Sequence, residues 1–300
     1  MAVAVMFPGQ GAQQAGAGQP WRHHPAWSVV ERAEAAVGRS LAPLLLDPGA
    51  PLERTEDAQL AVLLTSLVAW EAVAPTLDDD VVGVAGHSLG QLTALIAVGV
   101  LAFDEGVRLA ASRARHTQAA ADRRPGEMAA LLGATLDQAE EACQAAPDGC
   151  WLANDNAPGQ VVVAGTPDGL AAALERAKAL GVRRASRLPV GGAFHTPLMD
   201  EARAAFAEDL ATVALGPARL AVVSNSDARA YRDAEGWRQR LAEHLVRPVR
   251  WRQSVEHLAA AGATQLVEVG PGSTLAGLAR RIVPSLAVSS VEVPLEEVRV

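Results

Sequence analysis

Apolar positions along this chain follow two rhythms. Short unbroken apolar runs stop at Gly or Pro, and longer stretches repeat at three- and four-residue spacing. Ala2–Phe7, halted by Pro8-Gly9, and Val81–Ala85, halted by Gly86, read as strands buried on both faces of a parallel sheet. Pro25–Val37 and Asp57–Val73 read as helices, the second with apolar residues at 60, 63, 64, 67 and 68. Gln91–Val100 and Asp104–Ala121 continue the helical spacing until Arg123-Arg124-Pro125-Gly126, a natural boundary.

Between Glu127 and Pro189 the pattern changes. Met128–Leu132, Cys150–Ala153, Val161–Ala164 and Val182–Leu188 read as strands, with helices at Leu136–Ala145 and Asp168–Leu180. That order, βαββαβ, is the ferredoxin-like split unit. Afterwards strand–helix alternation resumes. Pro197–Thr212, Trp237–His244, Trp251–Ala261 and Ser273–Ile282 read as helices, Leu220–Ser224 and Gln265–Val269 as strands. The fold class is therefore α/β, a mostly parallel sheet flanked by helices, with a small inserted domain. The expected division is a core of residues 1–124 and 191–300 and an insert of residues 125–190.

Half of the residues are apolar, enough for a sizeable core. The formal net charge of −8 argues against a nucleic-acid binder, which needs a basic surface to displace counterions. Two cysteines, Cys143 and Cys150, cannot make a disulfide framework or a cysteine-based zinc site. Lys178 is the sole lysine, and arginine is so common that no single arginine is informative by itself. The amino terminus lacks the basic segment of a secretory signal. The longest apolar runs, Leu60–Val68 and Leu92–Phe103, fall short of the ~20 residues a bilayer helix needs. A cytoplasmic protein without a membrane span is expected.

Gly86-His-Ser-Leu-Gly90 matches G-x-S-x-G between an apolar strand and a helix, the context of a nucleophile elbow. Such a turn projects the Ser88 hydroxyl and aims backbone N–H groups at a developing oxyanion. A serine nucleophile needs a base, and seven histidines compete. His23, His24, His116, His244 and His257 lie in polar or helical surface patterns and read as solvated. His87 adjoins Ser88, where neighbouring side chains diverge, so it suits packing or orientation. His195 stands in a glycine-rich loop, Gly191-Gly-Ala-Phe-His195, that opens a helix, and is the candidate base.

Six segments occur together: Phe7-Pro-Gly-Gln-Gly-Ala-Gln13, Gly86–Gly90, Asn154-Asp-Asn-Ala-Pro-Gly-Gln160, Gly192-Ala-Phe-His195, Pro248-Val-Arg-Trp251 and Glu268-Val-Gly-Pro-Gly272. In this order they resemble the malonyl-CoA:acyl carrier protein transacylases and the related acyltransferase domains of polyketide synthases, over essentially the whole chain. The resemblance implies a hydrolase-like α/β core with a ferredoxin-like insert. It implies Ser88 as nucleophile, His195 as base, and the backbone N–H groups of Gln10 and Leu89 as oxyanion hole. Arg113 matches the arginine that holds the malonyl carboxylate, which is costly to bury unpaired and which a guanidinium clasps bidentately. Asn154 and Asn156 match positions near the mouth of the site, and His87 is counted with them among the substrate-binding residues. Phe194 matches a position where Phe accompanies malonyl and Ser accompanies methylmalonyl. Family members orient the histidine through backbone carbonyls rather than an acid. Position 250 is Arg where some relatives carry Gln, which leaves the role of Arg250 open.

The implied function is a ping-pong acyltransferase that passes malonyl from malonyl-CoA through Ser88 to the phosphopantetheine thiol of an acyl carrier protein. No metal or redox cofactor is called for, and coenzyme A enters as a thioester substrate. A monomer is expected. Alternatives are a discrete acyltransferase acting in trans on another acyl group, a serine hydrolase or editing thioesterase, and a non-catalytic carrier-protein-binding module. Service to fatty-acid or to polyketide synthesis is not legible. Acyl carrier proteins are acidic and so is this chain, so docking needs a local basic surface. Candidates are Arg183-Arg184 with Arg187, Arg280-Arg281 and Arg123-Arg124, at a cleft between core and insert.

Overall fold

The computed structural model describes residues 2–77 and 80–294. β1 (Val3–Phe7) is followed by α1 (Ser28–Val37), α2 (Ala42–Leu46) and α3 (Thr55–Leu77). β2 (Val81–Gly86) then leads through the elbow to α4 (Gly90–Ala97) and α5 (Phe103–Arg123). The next six elements are β3 (Glu127–Leu132), α6 (Leu136–Cys143), β4 (Cys150–Ala157), β5 (Gln160–Gly165), α7 (Pro167–Ala179) and β6 (Arg184–Arg187). α8 (Asp200–Thr212), β7 (Val222–Val223), β8 (Ala230–Tyr231), α9 (Trp237–Glu243) and α10 (Trp251–Ala260) follow. β9 (Gln265–Val269), α11 (Thr274–Ile282) and β10 (Ala287–Val291) complete the described chain.

Two sheets result. The larger runs β10-β9-β1-β2-β7-β8 and is parallel except for the antiparallel β8. β1 and β2 lie at its centre, where both faces are covered, which explains their unbroken apolar sequences. The smaller sheet runs β4-β5-β3-β6, antiparallel throughout, with α6 and α7 packed against it. This is the ferredoxin-like order that the βαββαβ pattern predicts.

The apolar-run arithmetic underestimates α3. It has 23 residues and is long and apolar enough to cross a membrane by length and composition alone. Every residue from Leu60 to Trp70 is buried, and the leucines, valines and Trp70 among them belong to the same cluster as α1, α4, α5 and the central strands. Hydrophobicity on all sides is therefore what its place in the core demands. Thr65 and Ser66 interrupt the apolar run, and Thr65 is accommodated by donating its hydroxyl to the Ala61 carbonyl at 2.9 Å.

α2, β8 and β10 escape the pattern reading. α2 is one short turn-like helix, Ala-Pro-Leu-Leu-Leu, too brief for a period to show. β8 has two residues, and β10 is a sheet edge whose two serines break the apolar signature. β4 runs on to Ala157, four residues beyond the expected Ala153, with register shifts at Leu152/Asn154 and Asp155/Ala157. Those irregularities matter, because Asn154 and Asn156 lie on this extension.

Candidate active site

The elbow forms because two glycines let three segments touch. A Cβ at Gly86 would sit 1.8 Å from the Gly90 carbonyl oxygen, and one at Gly90 would sit 2.2 Å from that of Phe7. Ser88 between them has φ of +52°, a left-handed conformation that a non-glycine residue holds at a cost of about 1–3 kcal/mol. Asn225, just beyond β7, secures this turn. Its Oδ1 accepts from Ser88 N–H at 2.8 Å, and its Nδ2 donates to the Gly86 carbonyl at 2.6 Å. Its own N–H donates to Gln91 Oε1 at 2.8 Å. The strained turn is thus tied to the neighbouring strand end by a side chain that is 1% exposed.

His195 approaches from the opposite side, also left-handed at φ +63°. Thr196 braces the loop, donating to the Ala193 carbonyl and accepting from Leu198 N–H. His195 Nε2 stands 2.8 Å from Ser88 Oγ, and Nδ1 stands 2.9 Å from the His244 carbonyl oxygen. A carbonyl only accepts, so Nδ1 carries the proton and Nε2 offers its lone pair to the serine. Burial, and next the charge of Arg113, push the His195 pKa down to about 3, so the ring is neutral near pH 7.

His244 is not the solvated residue that its surface-like sequence context suggests. It is 3% exposed, its ring centroid lies 5.0 Å from that of His195, and burial lowers its pKa as well. The error arises because α9 ends at Glu243 and the chain turns inward there. Arg250 is exposed, with its side chain on Gln253, while a second backbone contact to His195 comes from Arg247. The side chain at 250 therefore takes no part in orienting His195.

Arg113 lies on the buried face of α5 and is 4% exposed. Nη2 donates to Ser88 Oγ at 3.2 Å, and Nη1 donates to Gln59 Oε1. Gln59 is fixed in turn by Thr117, which accepts from its Nε2 at 3.2 Å. Burial lowers the Arg113 pKa to about 10, which leaves it charged at neutral pH. No carboxylate among the described residues pairs with it. A buried cation held only by neutral acceptors is costly, so the site favours an anionic ligand.

These groups line a cavity of about 190 Å³ between the two sheets. Gln10, Phe194, His87, Asn154 and Asn156 line it too. Among the described residues the N–H groups of Gln10 and Leu89 have no backbone or side-chain acceptor. His87 Nε2 donates to Asn156 Oδ1 at 2.9 Å and its ring lies against Trp251. Between the two asparagines, Asp155 turns to the core and pairs with Arg252 at 2.9 Å. Much of the remaining wall is apolar, from Met128, Val162, Leu188 and Val190 of the insert side and Leu275 and Leu278 of α11. Among the described residues no cluster of three or more His, Cys, Asp or Glu is placed to hold a metal ion.

Asn225, Gln91 and Gln59 went unassigned at the level of sequence. The only signal for Asn225 is its place at the carboxyl end of a strand, where open α/β sheets bring their ligand-facing residues. Gln59 sits inside an apolar helix, where a lone amide is a partner-seeking group.

Comparison with known proteins agrees with this architecture. The acyl transferase domain family matches residues 5–294. The malonyl CoA-acyl carrier protein transacylase of Salmonella typhimurium is 36% identical over 299 residues, covering 97% of this chain and 96% of that protein. The crystal structure of a malonyl-CoA:acyl carrier protein transacylase from Xanthomonas oryzae superposes with a TM-score of 0.92 at 36% identity, covering 98% and 95% of the two chains. A malonyl-transacylase in complex with its holo type II polyketide acyl carrier protein gives a TM-score of 0.93 at 32% identity, covering 98% and 96%. The chain belongs to the acyl transferase family and, within it, to the malonyl-CoA:acyl carrier protein transacylases.

Proposed function

We propose that this protein transfers a malonyl group from malonyl-CoA to the pantetheine thiol of an acyl carrier protein. The observation that carries the reading is Arg113, a buried guanidinium without a carboxylate partner, in contact with the hydroxyl of the Ser88–His195 pair. Ser88 Oγ attacks the thioester carbonyl while His195 Nε2 takes its proton. The N–H groups of Gln10 and Leu89 hold the oxyanion, the C–S bond breaks, and coenzyme A leaves as a thiol with the proton returned by His195. The second half runs in reverse, with His195 deprotonating the carrier's thiol as it attacks the seryl ester. Arg113 clasps the free carboxylate and selects dicarboxylic acyl groups over acetyl. Phe194 beside His195 narrows the space available to an α-methyl branch. Asn154, Asn156 and His87 shape the mouth.

Carrier docking is assigned to the cleft side of the insert. Arg183 and Arg184 are exposed, and among the described residues neither makes an ion pair. The other basic candidates are more engaged: Arg187 pairs with Glu127, Arg123 with Glu201, and Arg281 binds Gln160 and the Pro158 carbonyl. The same reading places the domain boundaries at residues 125 and 190 and the protein in the cytoplasm.

Mass spectrometry of the intact protein after incubation with malonyl-CoA tests the reaction. The wild type gains one malonyl group, and Ser88→Ala gains none. Absence of labelling, or release of free malonate faster than transfer to a holo carrier protein, overturns the proposal.

A further inference from the structure

Glu268 is the most deeply buried acid among the described residues, with 0% exposure. It stands near the end of β9, paired through the backbone with Met6 of β1 and Ser290 of β10. The chain then turns through Gly270, at φ +139°, and Gly272, at φ +74°, into α11. Ser273 occupies the N-cap position of α11 but makes no side-chain cap bond, and the first turn of the helix holds no acidic residue. The missing cap comes from behind. Glu268 Oε2 accepts from Ala276 N–H at 2.7 Å, and Leu275 N–H reaches the same carboxyl group. Oε1 has no partner.

A free helix N-terminus offers several unsatisfied N–H groups, normally met by the N-cap side chain. Here a side chain from the preceding strand meets them, so the position of the first turn is tied to the sheet rather than to the loop. That turn is part of the cavity wall. Thr274, Leu275 and Leu278 all line the cavity that contains Ser88 and Arg113. Once Arg113, Ser88 and His195 are assigned to the acyl group, the apolar wall is left for the pantetheine arm of the thioester.

We propose that Glu268 is a positioning residue for thioester binding: by capping α11 from β9 it sets the wall against which the pantetheine arm packs. The inference rests on the malonyl transfer proposed above. Glu268 touches no reacting atom, so its loss acts on binding of the arm and not on the acylation step. What α11 needs is an acceptor, and the neutral Gln supplies one of the same length.

The test compares Glu268→Gln and Glu268→Leu in single-turnover acylation of Ser88 by malonyl-CoA, followed by intact mass. Glu268→Leu raises the half-saturating malonyl-CoA concentration about tenfold, from the loss of the buried backbone cap, with the saturating rate within about twofold of wild type. Glu268→Gln restores wild-type saturation behaviour. Far-ultraviolet circular dichroism and the thermal midpoint identify a Leu variant that has failed to fold, and Glu268→Ala then takes its place. An unchanged half-saturation in the folded variant overturns the inference. So does a saturating rate that falls in step with affinity, or a Gln variant as impaired as Leu. Failure of the wild type itself to be acylated would instead overturn the reading of the reaction.

Discussion

Arg113 Nη2 donates to Ser88 Oγ at 3.2 Å, so the group proposed to receive the substrate carboxylate already touches the proposed nucleophile. The spacing suits a short dicarboxylic acyl group. On the proposed reading, a carboxylate one methylene from the reacting carbonyl would meet the guanidinium while the carbonyl lies over Ser88. The Gln59 and Thr117 contacts hold the planar fork in that orientation before ligand arrives, so little side-chain freedom is lost on binding.

Arg113→Ala therefore lowers acylation by malonyl-CoA by roughly 10- to 100-fold, the range for losing charge-assisted hydrogen bonds. Acylation by acetyl-CoA is unchanged or improved. Arg113→Lys falls between, because a point charge cannot make the paired contact. Rates of mass gain with the two thioesters check this, and equal losses for both would remove Arg113 from substrate selection.

His195 is held neutral by burial and by the charge of Arg113, with its pKa lowered to about 3. Its NMR resonances consequently show no titration from pH ~8 to ~5, whereas an ordinary histidine has its midpoint near 6.5. The sign matters for catalysis. The base form is present throughout that range, and protonation removes it only as pH falls toward the lowered value. A midpoint near 6.5 would contradict the environment described.

Asn225 clamps the left-handed Ser88 to the end of β7, so Asn225→Ala frees the elbow. A displacement of about 1 Å at a reacting atom costs on the order of 100-fold in rate. The saturating rate of Ser88 acylation should drop by that order, with a smaller change in half-saturation. Single-turnover measurements separate the two, and a wild-type rate would show that the glycines alone hold the turn.

Glu268 carries a stability signature of its own. Burial raises its pKa from the ordinary 4.5 to about 7, opposed first by the N–H groups of Ala276 and Leu275, with smaller effects from Glu292, which adds to the rise, and Arg280, which opposes it. Between those values the folded chain binds a proton that the unfolded chain has lost. Raising the pH through that window therefore costs folded stability, and below 4.5 the cost vanishes. Glu268→Gln does not titrate and should gain on the wild type as pH rises from about 4.5 past about 7. Denaturant midpoints across this range check the prediction.

Charge reversal at Arg183 and Arg184 should raise the KM for the holo carrier protein and leave that for malonyl-CoA unchanged. The effect should weaken with added salt, since exposed charges are screened over about 8–10 Å at ordinary ionic strength. An unaltered carrier KM would move the docking surface elsewhere.

The sequence by itself determined the α/β class, the inserted split unit and the G-x-S-x-G elbow, while His195 and Arg113 were given their roles through the family resemblance and not by any local pattern. Apolar runs and helical periods are local, and G-x-S-x-G is a local steric demand, so each can be read within a few residues. Tertiary structure decided what depends on elements far apart in the chain. Gln59 and Arg113 meet because α3 packs on α5, and Asn225 reaches Ser88 because β7 lies beside β2. His244 looks like a surface residue just past the end of α9, yet its carbonyl sets the tautomer of His195 from 49 positions away. Such groups show no pattern along the chain. Their roles come from burial without water, where each polar atom must find whichever partner the fold brings near.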